Sequence, residues 1–305
     1  MTQSLCLASI CALLGACGRG RPFIPVEGVT ALATDGRDIF FGAATQLWAV
    51  PASGGVPRLV CDAAPDSVVS IALDTDRAVF TTADKVWTVP RSGGIPARFA
   101  IGWVGAALLQ PVIDGPTVWL AADNAIGAVG PSGALRIVAQ GNGAAIYGFD
   151  VGASDVYWRQ GYQIRAVAKA GGTPRIIDST GPGVYTGSGF DPRVGERFVY
   201  YSSGFAIRAA PLAGGAPFDV ARPIPASPLA FFFYLAVEGS KVLFVTAIER
   251  PQALPLVAID EADPAAPDSF ETLAAPAPRV LSGFASAGGV VYWAEPDGIY
   301  RASVR

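Results

Sequence analysis

Two carboxylates stand in the same short phrase, Gly148-Phe149-Asp150 and Gly189-Phe190-Asp191. Brought face to face, such a pair would hold a calcium ion or polarise a water, since carboxylates supply hard oxygen ligands and a general base. The alternative is that each caps a turn through its own backbone amides, and Asp35, Asp74 and Asp114 at the related turn position favour it. A second acidic group, Asp260, Glu261, Asp263, Asp268 and Glu271, lacks the alternating ligands and central glycine of an EF-hand. It reads as a solvated loop, with weak calcium binding as the lesser reading. The chain has no histidine, which excludes histidine-based triads and His-ligated zinc. No catalytic residue and no cofactor is expected, weak calcium aside.

The elements that must position these residues are strands. Of 305 residues, 51% are hydrophobic and only 15% charged, with 36 Gly and 25 Pro, the mark of a turn-dense β protein. A net charge of −3 gives no basic stripe for nucleic acid. An apolar-aromatic strand returns about every forty residues: Ile39-Phe40-Phe41, Ala78-Val79-Phe80, Val118-Trp119-Leu120, Val156-Tyr157-Trp158, Val199-Tyr200-Tyr201, Val242-Leu243-Phe244 and Val291-Tyr292-Trp293. A further strand follows most of them, then a turn such as Ser53-Gly54-Gly55, Ser92-Gly93-Gly94, Gly171-Gly172 or Gly214-Gly215, with Pro57, Pro96, Pro174 or Pro217 opening a fourth strand. These glycines supply hairpin turns rather than phosphate cradles.

Seven such phrases predict an all-β, seven-bladed β-propeller of four-stranded antiparallel blades, with six blades as the alternative. The last phrase ends after its third strand, Gly298 to Ser303, while Pro22-Phe23-Ile24-Pro25-Val26 is an orphan extended segment ahead of the first. The two ends are expected to share one blade and so close the ring.

Asp155-Val156-Tyr157-Trp158 with Gln163-Ile164-Arg165 and Gly171-Gly172-Thr173-Pro174, and Val291-Tyr292-Trp293 with Gly298-Ile299-Tyr300-Arg301, resemble the YWTD-type and TolB-like propeller repeats of bacterial envelope lipoproteins. The resemblance spans nearly the whole chain after residue 17 and implies the fold; function on propellers varies widely. Arg159-Gln160 and Ala294-Glu295 stand where YWTD repeats carry Thr-Asp, so neither that family's Asp networks nor its six-blade count carries over.

The apolar run from Leu5 to Ala16 is too short to span a bilayer and reads as an export leader. It ends in Leu14-Gly15-Ala16-Cys17, which resembles the bacterial lipobox and implies acylation of Cys17. Cys6 and Cys11 leave with the leader and Cys61 remains a single thiol, expected in a buried strand, so no disulfide framework is available. The expected division is a signal peptide at 1–16, a lipidated terminus and short linker at 17–21, and one propeller domain at 22–305. The expected address is a membrane-anchored lipoprotein facing the periplasm or cell surface, or a soluble secreted protein if Cys17 is not acylated.

Two readings of function follow. The first is a non-enzymatic, lipid-anchored envelope propeller that binds an envelope protein or acts as a scaffold, with Phe231, Phe232, Phe233 and Tyr234 as a candidate partner surface or, alternatively, packing between blades. The second is a propeller hydrolase, lyase or small-ligand binder using a carboxylate-held metal in the channel, at Asp150 and Asp191.

Overall fold

The computed structural model describes residues 21–63, 66–99, 109–141, 143–179, 192–203, 206–222, 230–248, 256–266, 270–274 and 281–304. Among these residues there is no helix. The strands form six four-stranded antiparallel sheets, within 29–62, 70–98, 112–140, 146–179, 193–221 and 230–274, and one three-stranded sheet within 283–303. Each is a simple meander, and the first strands lie beside one another in chain order, with that of the last sheet (Gly283–Ala287) returning to that of the first (Val29–Thr34). Complete four-stranded sheets thus number six. On the last sheet, Ile24 forms an isolated antiparallel bridge with Ile299, through Ile24 N–H to Ile299 O at 3.1 Å and Ile299 N–H to Ile24 O at 2.9 Å.

Because every sheet is covered on both faces, the second strands show no polar alternation. Asp38–Ala43, Thr117–Ala122 and Asp155–Gln160 are buried throughout their interiors, as expected of strands packed on two sides. The third residue of each apolar-aromatic triplet occupies one register position: Phe41 pairs with Trp48, Phe80 with Trp87, Leu120 with Gly127, Trp158 with Arg165, Tyr201 with Arg208, Phe244 with Asp260 and Trp293 with Tyr300. Strands three and four then share a register shift at the same place in five sheets, immediately before Trp48, Gly127, Arg165, Arg208 and Asp260. A bulge at a fixed place adds twist in the same sense each time, which helps successive sheets fan around an axis.

The turns alternate between two faces of the ring. One, here the upper face, carries the first-to-second and third-to-fourth turns; the lower face carries the second-to-third turns and the connections between sheets. On the upper face Gly54 and Gly55 have φ of +99° and +135°, and Gly54 N–H closes the turn on Pro51 O at 2.8 Å. The acidic segment is only partly a loop. Asp260 and Glu261 belong to the strand Leu256–Ala262, paired with Phe244 and Leu243, and the turn begins at Asp263.

Arginines clasp one sheet to the next. Arg58 Nη2 donates to Arg91 O at 2.6 Å, and Arg136 donates to Lys169 O at 2.9 Å and Ala170 O at 3.2 Å. In each case an arginine on a fourth strand reaches the upper-face turn of the following sheet. Cys61 is buried on the fourth strand Arg58–Asp62 as a free thiol.

Candidate functional site

The innermost strands surround a cavity of about 300 Å3, lined by Leu32 to Asp35, Ile71 to Leu73, Leu235 to Val237 and Phe284 to Ser286, together with Gln110 and Arg193. Register defines one layer of this wall. Ala33 pairs with Phe40, Ala72 with Val79, Val112 with Trp119, Asp150 with Tyr157, Arg193 with Tyr200, Ala236 with Leu243 and Ala285 with Tyr292. Five sheets place alanine or valine there, and two adjacent sheets place an aspartate and an arginine.

Both charged groups are engaged with backbone. Asp150 Oδ1 accepts from Val151 N–H and Oδ2 from Val194 N–H, each at 2.8 Å, so one carboxylate ties its own strand to the first strand of the next sheet. Burial raises the Asp150 carboxyl above its ordinary value, against the opposing pull of Arg193 and the two amides. Arg193 donates through Nε to Leu235 O at 3.2 Å, through Nη1 to Pro192 O at 3.2 Å and through Nη2 to Gln110 Oε1 at 2.8 Å. The guanidinium thereby spans from the fifth sheet to the sixth and to the approach to the third.

Asp35, also on the cavity wall, caps its turn: Oδ1 accepts from Arg37 N–H at 3.0 Å and Asp38 N–H at 2.9 Å. Its Oδ2 pairs with Arg91 at 2.7 Å. Burial acts to raise this carboxyl, but Arg91 and the amides outweigh it and hold it below the ordinary value. Among the described residues no group of three His, Cys, Asp or Glu side chains is placed to hold a metal ion.

Of the residues singled out from sequence, Asp150 lies at the channel wall and caps backbone amides, while Asp191 and Cys17 lie outside the described residues. The residue that shares Asp150's register in the next sheet is Arg193. Sequence reading missed Arg193 and Gln110; the signal for Arg193 was available by counting back from Tyr200 as Asp150 counts back from Tyr157. Phe231, Phe232 and Phe233 sit in the strand Ala230–Glu238, paired with Ala247, Thr246 and Val245, and their side chains lie outside the described residues. Tyr234 occupies a bulge at φ +49°. Its hydroxyl donates to Leu281 O at 2.6 Å and its ring lies 6.2 Å from that of Phe284, which fastens the sixth sheet to the last one.

The sixth sheet is taller than the first. The first strand pair of the first sheet ends with Val29 opposite Ala43, whereas the sixth continues through Phe231 opposite Ala247 and Ala230 opposite Ile248. Each added residue raises a strand by about 3.3 Å, and the extension is on the lower face. Tyr147 and Tyr162 of the fourth sheet are about half exposed on that face. On the upper face Val56 and Ile95 are 90% and 93% exposed.

In shape the chain resembles virginiamycin B lyase from Staphylococcus aureus, with a TM-score of 0.65 at 14% identity over 92% of this chain and 96% of that one. It also resembles BamB from Moraxella catarrhalis, at 0.60 and 16% over 91% and 83%. The chain is a β-propeller. A chain of the mitotic checkpoint complex matches at 0.67 and 9% identity over 95% and 97%. Replacing one histidine with alanine gives a catalytically inactive form of the lyase, whose structure was determined with quinupristin. No protein-family model matches this propeller, and no curated protein matches it in sequence.

Proposed function

We propose that this propeller is a non-enzymatic, lipid-anchored module of the bacterial cell envelope that binds a protein partner through the lower face of its ring. In this reading Ile24 completes a seventh blade and Cys17 carries the acyl chains. The observation that carries it is the raised sixth sheet, which lifts Phe231 beyond the level of the first sheet on the face where Tyr147 and Tyr162 are exposed. Aromatic side chains with one exposed side are the residues that anchor protein interfaces. The leader with Leu14-Gly15-Ala16-Cys17 supports the anchor and the envelope setting. Lyase chemistry that depends on a histidine has no counterpart in a chain without one.

The test is a photo-activated cross-linking residue placed at Tyr162 or Phe231 in cells, with Val56 as the comparison site. A discrete protein adduct from the lower-face sites alone is expected; no adduct from either removes the protein-binding reading. Cys17→Ser is expected to move the protein from the membrane fraction to the soluble one, and unchanged partition removes the anchor. The second reading, a small ligand in the channel, is favoured by the cavity of about 300 Å3 with the Arg193 guanidinium in its wall. Loss of ligand-dependent thermal stabilisation in Arg193→Ala would identify it.

A further inference from the structure

The lower face carries mostly one sign of charge on four neighbouring sheets. Glu27 stands just ahead of the first strand of the first sheet, and Asp66 lies on the connection from the first sheet to the second. Asp84, Asp123 and Asp297 occupy the second-to-third turns of the second, third and last sheets. Among the described residues, the bases beside this arc are Lys85 and, next to Pro22 at the chain's entry, Arg21. Lys85 Nζ lies 2.5 Å from Asp66 Oδ2 and 3.5 Å from Asp84 Oδ1. Glu27, Asp123 and Asp297 are exposed and have no base within ion-pair distance. The upper face mixes its signs instead: Arg91 pairs with Asp35 at 2.7 Å and Asp38 at 3.1 Å, Lys169 with Asp114 at 2.6 Å and Arg175 with Asp155 at 3.0 Å.

Backbone contacts join the arc to the exposed apolar residues of the same face. Val68 N–H donates to Ala44 O at 3.0 Å and Val69 N–H to Thr81 O at 2.9 Å, which seats the connection that carries Asp66 across the lower ends of the first two sheets. Val69 is itself 50% exposed. Ile146 N–H donates to Asp123 O at 2.7 Å, so the half-exposed Tyr147 immediately follows the residue bonded to the acidic tip of the third sheet. Tyr162, on the second-to-third turn of the fourth sheet, continues the surface past Tyr147. Carboxylates and apolar side chains thus form one continuous strip from the first sheet to the fourth.

We propose that the partner of the lower face is a basic protein segment, with its lysines and arginines along Glu27, Asp66, Asp84 and Asp123 and its apolar side chains on Val69, Tyr147 and Tyr162. The proposal rests on the protein-binding reading and deepens it by giving the partner its charge. Charge of opposite sign steers the encounter and fixes the register of the bound segment, while the aromatic contacts supply affinity. The arc repels an anionic lipid surface and a nucleic acid alike, which leaves a cationic polypeptide as the complementary macromolecule.

The test keeps the photo-activated cross-linking residue at Tyr162 in cells and compares the parent chain with a variant carrying Glu27→Gln, Asp84→Asn and Asp123→Asn. Asp66 stays, so that Lys85 keeps its partner, and asparagine tolerates the φ of +49° at position 123. The control is Asp76→Asn with Glu196→Gln, exposed carboxylates of upper-face turns. Adduct yield per folded protein should fall at least about threefold in the triple variant and stay level in the control. Mass spectrometry should place the link in a partner segment rich in lysine or arginine. A second measurement uses the parent chain alone and decides the case if the triple variant unfolds: on isolated envelope, the yield should fall at least about threefold between about 50 and about 500 mM salt. An adduct indifferent to the neutralised carboxylates or to salt, or linked to a segment without basic residues, overturns the basic partner and leaves the lower face as the docking surface. No adduct from Tyr162 or Phe231 in the parent chain removes the protein-binding reading itself, and this proposal with it.

Discussion

The Arg301 guanidinium lies 3.8 Å above the ring of Phe23, and its Nη1 donates to Ala52 O at 3.2 Å. It does from a third strand what Arg58 and Arg136 do from fourth strands. One side chain thus grips both the entering segment and the first sheet. Arg301→Ala is expected to cost about 1–2 kcal/mol and Phe23→Ala about 2–3 kcal/mol in urea unfolding. The double variant should lose less than the sum of the two, since both remove one contact. Strict additivity would show that the stacked pair contributes nothing of its own.

Gly298 is a steric gate for the same closure. A Cβ there would stand 2.5 Å from Pro22 Cβ and 2.6 Å from Ile24 O. Gly298→Ala should release the Ile24 bridge, read as faster hydrogen exchange at Ile24 and Ile299 with the other sheets unchanged. Gly130→Ala, with nothing within 4 Å of the added carbon, is the matched control and should leave exchange unaltered.

Asp150→Ala leaves the Val151 and Val194 amides without their acceptor and should cost about 2–3 kcal/mol. The parent protein should show no calcium-dependent rise in melting temperature. A rise that disappears in Asp150→Ala would return the channel to metal chemistry.

Burial, with a smaller contribution from Asp62, pushes the Cys61 thiol up to about 11 from 9.0. The folded protein therefore keeps a proton that the unfolded chain releases first. The sign follows: stability is full below about pH 9 and falls as pH rises through 11, because only the unfolded state gains the thiolate in between. Alkylation of the native protein should accelerate only toward pH 11, and Cys61→Ala should flatten the alkaline fall in stability. An ordinary thiol profile in the native state would show Cys61 to be solvated.

The second-strand column from Phe41 to Trp293 was legible in sequence because a strand covered on both sides must be apolar along its length, and the Gly-Gly-x-Pro turns marked where each sheet reverses. The bridge of Ile24 to Ile299 was legible from the spare extended segment Pro22 to Val26 ahead of the first phrase, while the seventh four-stranded sheet expected with it is not among the six that form. The channel wall was legible only by counting. Gly189-Phe190-Asp191 imitates Gly148-Phe149-Asp150 and draws attention to Asp191, yet strand pairing sets Arg193 opposite Tyr200 as Asp150 stands opposite Tyr157, a spacing that likeness of phrase hides and counting back from the aromatic triplet recovers. Nor could sequence show that Asp260 and Glu261 continue a strand: acidic residues resemble a solvated loop until their partners across the sheet, Phe244 and Leu243, are known.

The bridge between Ile24 and Ile299 joins residues on either side of the six four-stranded sheets in the chain, which gives it a meaning in time as well as in space. A chain synthesised from its N-terminus presents Ile24 before the first sheet and Ile299 only after the six four-stranded sheets have been made, so the ring stays open through most of its own emergence. The backbone N–H and C=O of Ile24 wait all that while for those of Ile299, available to any extended chain. Completion is a long-range event that local contacts cannot hasten, and the species most prone to pairing with the wrong molecule is the one that lacks only its final strands.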